Sequence, residues 1–321
     1  MRAIQVREQG GPEVLELVEL ADPSPGAGEV VVEVAAAGVN FVDIYRRSGQ
    51  YKVETPFVSG AEGAGTVSAV GAGVTSVAVG DRVAWAEGSS GSYTSHAVVS
   101  ASKVVPLPSS VSFELGAAVL LQGITAHYLA TSTYPIAPGD WAVVHAGAGG
   151  VGLLLTQIVK LRGGHVLATV STPEKADLAR GAGADEVASY SDFVDRARSL
   201  TSGAGVPVVY DGVGTTTFDH SLQALRRRGY LVLYGASSGA VREVNPMELQ
   251  NAGSVFLTRP TMGHYLATRE ELVSRTTDLF TWIAEGKLSV RIGGQYPLAD
   301  AAKAQTDLAS RATTGKLLLI P

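Results

Sequence analysis

The sequence predicts an α/β protein in which a doubly wound parallel sheet is joined to a β-rich domain. From about residue 141 onward, continuous apolar runs alternate with helical patterns, which is typical of a parallel sheet covered on both faces. Before about residue 105, short runs alternate apolar and polar residues between turns rich in Gly and Pro. With 321 residues, the chain is long enough for two such domains.

The β-rich part has the pattern of a small barrel or rolled sheet. Its predicted strands are residues 3–6, 15–20, 29–34, 63–71, 83–85 and 93–99. Turn sequences such as Gly10-Gly11-Pro12 and Gly80-Asp81 separate them. A helix is predicted over about residues 112–134, where apolar residues recur at helical spacing.

The parallel sheet is predicted from strands that alternate with helices. The strands are residues 141–146, 165–170, 185–189, 206–210, 230–234 and 254–258. The helices between them include one after Gly149, one opened by Pro173 and one that ends over Leu222–Arg228. Toward the C-terminus, helices near 269–285 and 299–310 precede a last strand at 316–320.

A G-x-G-x-x-G sequence follows the first strand of this sheet and opens a helix. Its three glycines are Gly147, Gly149 and Gly152. The first permits a tight turn, the second lets the backbone approach a pyrophosphate, and the third lets the helix pack on the strand. The helix that starts at Gly150 and Val151 presents unpaired N–H groups to a phosphate. Strand, loop and helix in this order predict a dinucleotide site.

The end of the second strand favours NADPH over NADH. NAD-binding proteins carry a carboxylate about 20 residues after the loop, where it holds the ribose 2′-OH. Here the strand ends in Ser171 and Thr172, followed by Lys175, so hydroxyls and a cation stand where a carboxylate would repel a 2′-phosphate. Glu174 is expected to face solvent in the first turn of a helix. In the alternative, the two hydroxyls only cap this helix and Lys175 is a solvated surface residue.

Composition excludes several classes of protein. The net charge of −5 and the lack of a long Lys/Arg run argue against nucleic-acid binding. The chain has no cysteine, which excludes disulfides, thiolate nucleophiles and thiolate zinc sites. The N-terminal residues lack an apolar signal core, and no apolar run reaches the ~18 residues of a membrane span. We therefore expect a cytoplasmic protein that binds neither membrane nor nucleic acid.

The segment Gly38–Tyr51 resembles the G-x-N-x-x-D-x-Y…G-x-Y stretch of NADPH:quinone oxidoreductases, the zeta-crystallin-like branch of the medium-chain dehydrogenase/reductase superfamily. The likeness continues along the whole chain in residues 60–65, 80–83, 121–126, 146–152, 210–214, 234–239 and 310–321. It implies a GroES-like domain of residues 1–122 and 262–321. A Rossmann NADPH-binding domain of residues 123–261 is then inserted in it.

The same resemblance implies a branch of the superfamily without zinc. Zinc-dependent relatives carry G-H-E-x-x-G where this chain has Gly60-Ala61-Glu62-Gly63. Ala61 replaces the His ligand and the Cys ligands are absent, so no metal site is expected. Glu62 is interpreted as structural. The histidines show no ligand spacing and are predicted to be structural or surface residues: His96, His127, His145, His165, His220 and His264.

The resemblance further implies metal-free hydride transfer from NADPH to an acceptor that is already electron-poor. A quinone or an α,β-unsaturated carbonyl meets that requirement. Asn40 and Asp43 are implied to lie at the substrate side of the nicotinamide, and Tyr45 and Tyr51 to donate to a quinone oxygen. The alternatives are that the tyrosines only pack and that Asp43 caps a helix.

The remaining cofactor residues implied by the resemblance are Gln122, Thr125, Tyr190, Tyr234, Ser237, Ser238 and Arg311. Gln122 and Thr125 match a segment at the nicotinamide side, and Tyr190 is expected at the adenosine phosphate end. The residues after the fifth strand lie at the sheet edge where ligands bind in such folds. Arg311 can reach the 2′-phosphate as a bidentate donor, with a solvated Arg as the alternative.

Three functions stay open on this evidence. The first is an NADPH-dependent quinone reductase, and the second is the same scaffold reducing enones or alkenals. The third is a non-catalytic NADPH-binding protein, such as a crystallin-like or RNA-binding one. The strand at 254–258 is expected to pair with its twin across a twofold axis, as in relatives, which predicts a homodimer.

Overall fold

The computed structural model describes residues 1–87 and 90–321. In it, the alternating runs before residue 105 fold as antiparallel strands, and a helix follows them. The elements in this part are β1 (Arg2–Val6), β2 (Glu16–Glu19), β3 (Glu29–Val39), α1 (Phe41–Ser48), β4 (Phe57–Val58), β5 (Glu62–Val70), β6 (Arg82–Ala86), β7 (His96–Ser100), β8 (Val104–Pro106) and α2 (Phe113–Tyr128). The predicted helix over 112–134 therefore ends at Tyr128 and continues as one π-helical turn, Leu129–Thr133.

The apolar runs after residue 141 form parallel strands with helices between them. These elements are β9 (Trp141–Val144), α3 (Gly150–Leu161), β10 (His165–Thr169), α4 (Pro173–Gly181), β11 (Glu186–Ala188), α5 (Phe193–Leu200), β12 (Val206–Asp211), α6 (Phe218–Ala224), β13 (Leu225–Leu233), α7 (Pro246–Asn251), β14 (Phe256–Thr258) and α8 (Met262–Tyr265). The strand order β11-β10-β9-β12-β13-β14 reverses between β9 and β12, which is the point where such sheets bind ligands.

One predicted boundary in this sheet is wrong. The helix expected to end over Leu222–Arg228 ends at Ala224, because Leu225 adopts an extended conformation and its side chain is buried. Leu225 pairs with Val206 at the start of β13, and a register shift follows before Val208 pairs with Tyr230. The arginines after Leu225 therefore lie in an irregular strand instead of a helix.

The chain then returns to the first sheet. Its last elements are α9 (Arg269–Ala284), β15 (Ile292–Pro297), α10 (Ala301–Ala309) and β16 (Lys316–Ile320). Strand β16 pairs antiparallel with β3, so that Leu317 lies opposite Val39. This sheet runs in the order β15-β16-β3-β5-β6-β8, with β7 also paired to β3, while β2, β1 and β4 form a separate sheet.

The residues divide into two units. The first unit contains Met1–Gln122, Thr268–Ala284 and Val290–Pro321, and the second contains Gly123–Ala267 and Glu285–Ser289. The return therefore occurs at Thr268 instead of residue 262.

Side-chain contacts keep two segments, α8 and residues 285–289, in the second unit. The Tyr265 ring stacks on Tyr128 with ring centroids 4.2 Å apart, and its hydroxyl accepts a hydrogen bond from Thr133 at 2.9 Å, so α8 stays with that unit. Residues 285–289 also stay there, because the Gln157 side chain binds both backbone groups of Ser289.

Each unit has its own apolar core. In the first, side chains such as Val32, Trp85 and Leu319 are fully buried together, and in the second Val143, Phe193 and Leu231 are buried together. Among the described residues, no helix combines the length and apolarity that crossing a bilayer requires.

Candidate active site

The three glycines of the G-x-G-x-x-G loop have different surroundings. A Cβ on Gly147 would lie 2.8 Å from the Ala168 Cβ of β10, and one on Gly152 would overlap the carbonyl oxygen of Ala146. A Cβ on Gly149 would meet only that same carbonyl, at 3.2 Å. The first and third glycines are therefore required by packing, whereas the second leaves an open approach to the backbone.

Helix α3 begins directly after this loop. Gly149 is its N-cap residue, and Leu153 N–H donates to Gly149 O at 2.9 Å as the first helical hydrogen bond. The N–H groups of Gly150, Val151 and Gly152 precede that bond and have no acceptor within the helix. They carry the positive end of the helix dipole, so the loop fits a pyrophosphate bound beside Gly149.

The residues after β10 match the predicted 2′-phosphate end in chemistry. Ser171 and Thr172 are exposed and Lys175 is half-buried. The Thr172 hydroxyl accepts a hydrogen bond from Lys175 N–H at 3.3 Å, so it caps α4 as the alternative interpretation expects. Glu174 lies in the first turn of α4, and hydrogen bonds from its own backbone N–H and from the Thr172 side chain lower the pKa of its carboxyl.

The tyrosine and serines expected near the cofactor also stabilise loops. The Tyr190 hydroxyl accepts from Ala146 N–H at 3.2 Å. Ser238 donates to Val213 O at 2.8 Å and accepts from Thr216 N–H. The Ser238 hydroxyl therefore fastens the loop after β13 to the turn after β12.

Tyr234 and Ser237 contact that same turn. The Tyr234 ring covers Gly212, where a Cβ would lie 2.7 Å from the phenol oxygen, and Ser237 N–H donates to Gly212 O at 3.2 Å. Thr125 is buried near the end of α2, and Gln122 on the same helix is half-buried. Arg311 is exposed after α10 in the first unit, with a left-handed backbone (φ 59°).

In the first unit, Asn40 belongs to a buried charged cluster that sequence reasoning did not detect. Asn40 Nδ2 donates to Glu62 Oε1 at 2.8 Å and to Gly38 O at 3.3 Å. Lys316 Nζ donates to Asn40 Oδ1 at 2.7 Å and forms an ion pair with Glu62 Oε1. Glu62 Oε2 accepts from Leu121 N–H at 2.8 Å. Both amide hydrogens of Asn40 are thus used inside the protein.

Asp43 is also turned inward. Its Oδ2 accepts from Asn40 N–H at 2.8 Å, which closes a capping box at the start of α1. The same oxygen also accepts from the Tyr93 hydroxyl at 2.9 Å. Oδ1 has no hydrogen-bond partner among the described residues. Burial raises the pKa of Asp43 to about 7, against the opposing effect of the Tyr93 and Asn40 hydrogen bonds. This geometry matches the capping alternative.

Tyr45 and Tyr51 lie together at the other end of α1. Their ring centroids are 5.3 Å apart, and Tyr45 is also 6.1 Å from Phe41. Tyr45 is buried, whereas 41% of Tyr51 is exposed. Tyr51 is therefore the more exposed residue of this pair.

The structure thus gathers the predicted residues within each unit. The glycine loop, the hydroxyls after β10 and Tyr190 lie at the carboxyl ends of adjacent parallel strands, and Asn40, Asp43 and Tyr45 lie on or next to α1. Sequence reasoning missed Lys316, Tyr93 and the hydrogen-bonded set around His145. Lys316 could not be found from spacing, because it reaches Asn40 across 276 positions of the chain.

The donor set does not fit a zinc ion. The chain has no cysteine, Ala61 offers only a methyl group, and the Glu62 carboxylate is already bound by Lys316 and Asn40. Residues 1–87 and 90–321 contain no group of three or more His, Cys, Asp or Glu arranged to hold a metal. No step of the chemistry below is therefore assigned to a metal ion.

Two family models match the chain. The model described as Alcohol dehydrogenase GroES-like domain matches residues 26–109, and the model described as Zinc-binding dehydrogenase matches residues 150–280. Quinone oxidoreductase 1 of Escherichia coli (strain K12) is 45% identical over 323 residues, covering 99% of each chain. A 2-haloacrylate reductase of a Burkholderia species is 37% identical over 328 residues, covering 99% of this chain and 98% of the other.

Solved structures resemble the fold over its full length. A mycobacterial protein complexed with NADPH is 50% identical with a TM-score of 0.98, covering 100% of both chains. An Escherichia coli quinone oxidoreductase complexed with NADPH is 44% identical, again with a TM-score of 0.98 and 100% of both chains covered. This chain belongs to the quinone oxidoreductase family of the medium-chain dehydrogenase/reductase superfamily.

Proposed function

We propose that this protein is an NADPH-dependent quinone reductase that transfers hydride without a metal ion. The observation that carries the proposal is the open approach to the backbone at Gly149, at the point where the strand order reverses. Relatives named quinone oxidoreductases, some solved with NADPH, support the same activity.

Most residues of the proposed cofactor site belong to the second unit. The N–H groups of Gly150, Val151 and Gly152 bind the pyrophosphate, with Gly147 and Gly149 shaping the loop. Ser171, Thr172 and Lys175 bind the 2′-phosphate, with Tyr190 beside them and Arg311 as a further donor. Gln122, Thr125, Tyr234, Ser237 and Ser238 complete the list of proposed cofactor residues.

The first unit supplies the residues for the acceptor. Bound NADPH supplies a hydride from C4 of its nicotinamide. Tyr51, with Tyr45 packed behind it, donates a hydrogen bond to the acceptor oxygen as negative charge develops there. Asn40 and Asp43 hold the start of α1 in place, because their polar atoms are directed to Glu62, Lys316 and Tyr93.

Steady-state kinetics with quinones tests this function. The purified protein should oxidise NADPH with a panel of benzoquinones and naphthoquinones, and should use NADH less efficiently. Activity should persist in EDTA, since no zinc site can form. Quinone turnover no faster than the uncatalysed rate would refute the proposal.

A second candidate is the reduction of activated alkenes on the same scaffold. The observation that favours it is the 37% identity to a 2-haloacrylate reductase over almost the full chain. Both acceptors are electron-poor carbonyl compounds, so the cofactor site is the same for both. A kcat/KM for enones, alkenals or haloacrylates that exceeds the value for every quinone would favour this candidate.

The proposal includes a homodimer formed through β14 and a cytoplasmic location. Strand β14 is an edge strand of its sheet, half of Phe256 (50%) is exposed, and Phe256 stacks on Tyr230 at 4.6 Å. Sedimentation as a monomer at micromolar concentration would exclude the dimer. Cell fractionation tests the location.

A further inference from the structure

Three adjacent strand ends in the second unit are joined by buried side chains. His145 follows β9, Thr169 ends β10 and Asp211 ends β12, and all three side chains have 0% exposure. His145 Nδ1 lies 2.8 Å from the Thr169 hydroxyl, and Nε2 lies 2.9 Å from the hydroxyl of Ser221 on α6. Ser221 lies 2.9 Å from Asp211 Oδ2. No member of this chain of hydrogen bonds can touch a substrate, because each is fully buried.

The acceptors around Ser221 determine the direction of these hydrogen bonds. Besides His145, the Ser221 hydroxyl contacts Asp211 Oδ2 and Thr217 O, and both of those atoms can only accept. Its single proton therefore goes to one of them, and Ser221 must accept from His145 Nε2–H. Nδ1 is then the acceptor for the Thr169 hydroxyl. Burial lowers the pKa of His145, although Asp211 opposes this effect, so the neutral ring agrees with the hydrogen bonds.

Both ends of this series of hydrogen bonds lie next to loops that follow the strands. Asp211 Oδ1 accepts from the N–H groups of Val213 and Gly214 at 2.8 and 3.0 Å, which shapes the turn after β12. His145 directly precedes Ala146, whose left-handed backbone (φ 51°) starts the glycine loop. The two loops therefore share one buried hydrogen-bonded support.

We infer that His145, as the Nε2–H tautomer between Thr169 and Ser221, is a positioning residue that holds the glycine loop and the Gly212–Gly214 turn at a fixed separation for the dinucleotide. The inference rests on the proposed NADPH site. His145 acts through the backbone of Ala146–Gly149 and not by contact with the cofactor.

Two substitutions separate positioning from simple packing. Glutamine at this position can place its amide nitrogen where Nε2 lies and keep the bond to Ser221, whereas asparagine reaches only the place of Nδ1. His145→Asn should therefore raise the NADPH dissociation constant by about tenfold, because a buried acceptor loses its donor. His145→Gln should stay within about threefold of the unsubstituted protein. His220→Gln, an exposed histidine next to Ser221, is the control and should change nothing.

NADPH dissociation constants and the quinone KM should be measured below the unfolding transition of each variant. A raised NADPH constant in His145→Asn, restored in His145→Gln with the quinone KM constant, supports positioning. Equal NADPH affinity in both variants would overturn it, even if both unfold at lower temperature. If His145→Asn does not fold, Ser221→Ala removes the same hydrogen bond and should weaken NADPH binding in the same way. Unchanged NADPH affinity in Ser221→Ala would also overturn the inference.

Nitrogen NMR of the His145 ring gives an independent reading. At pH 7 the protonated nitrogen should be Nε2, and an Nδ1–H ring or an imidazolium would overturn the assignment. An unsubstituted protein that does not bind NADPH at all would refute the proposed function. Normal binding in every variant would refute only the role of His145.

Discussion

The two units of this protein each bury a carboxylate completely, and they stabilise it in different ways. Glu62 in the first unit is paired with the ammonium group of Lys316 and the amide of Asn40. Asp211 in the second unit accepts from backbone N–H groups and from the hydroxyls of Thr217 and Ser221. Glu62 is stabilised by a full opposite charge, whereas Asp211 is stabilised by a set of neutral hydrogen-bond donors.

The two carboxylates connect different parts of the fold. The ion pair joins positions separated by 254 residues, so it fastens the C-terminal strand β16 to the start of β5. The hydroxyl cluster joins the ends of neighbouring strands around two loops. Loss of a charged partner should therefore affect the stability of the whole unit, and loss of a neutral partner should affect the loops that surround the proposed cofactor.

The largest effect is expected from removing the buried ammonium. Lys316→Met leaves Glu62 buried without its counter-charge and should lower the free energy of unfolding by about 3–5 kcal/mol. Urea denaturation followed by circular dichroism measures this loss. Lys303→Met, which removes the exposed partner of Asp307, is the matched control and should leave the free energy of unfolding nearly unchanged. Similar losses in both variants would contradict the role given to the ion pair.

The next effect concerns Asp43, whose carboxyl is buried without a counter-charge bonded to it. Its pKa of about 7 in the folded protein exceeds the 3.8 of a free aspartate, so the folded state holds a proton that the unfolded chain releases. This contribution to stability is present below about pH 4 and is lost as the pH rises through 7.

Asp43→Asn removes that titration. The free energy of unfolding of Asp43→Asn relative to the unsubstituted protein should therefore rise by roughly 4 kcal/mol between pH 4 and pH 8. Denaturation at both pH values measures the change. A flat difference for Asp43→Asn would mean that the buried carboxyl stays ionised.

A smaller effect is expected at the glycine loop, where the proposed role is cofactor binding. The added Cβ in Gly152→Ala would overlap Ala146 O, so the loop must shift and the NADPH dissociation constant should rise by about tenfold or more. Gly181→Ala is the control, because nothing lies within 4 Å of its Cβ position at the end of α4. That variant should bind NADPH normally and be slightly more stable, by about 0.5–1 kcal/mol. Fluorescence titration with NADPH distinguishes the two.

The smallest effect concerns discrimination between cofactors. Lys175→Ala should raise the NADPH dissociation constant by about fivefold and leave that for NADH nearly unchanged, because only NADPH carries the 2′-phosphate. The exposed Lys287→Ala serves as the control for a general change in charge. Equal losses for both cofactors would show that Lys175 acts elsewhere than at the 2′-phosphate.

Local patterns were sufficient for the regular parts of the second unit. The continuous apolar runs predicted parallel strands, and the spacing of Gly147, Gly149 and Gly152 predicted the loop before α3. They failed at Leu225, because its side chain is equally apolar in a helix or a strand and the choice depends on its pairing with Val206. They also left open whether Asp43 faces a substrate or caps α1, since both roles require the same carboxylate.

Residue identities and their spacing were enough to predict which chemistry is available: no thiolate, no histidine at position 61, and a glycine loop at a strand end for a dinucleotide. These properties follow from residue identity and near-neighbour spacing, which do not depend on the rest of the chain. The folded arrangement was needed to show that Lys316 neutralises Glu62, that Asn40 donates its amide hydrogens to buried acceptors, and that His145 joins three strand ends. Such contacts link distant positions, and burial then decides how strongly the charges and hydrogen bonds act.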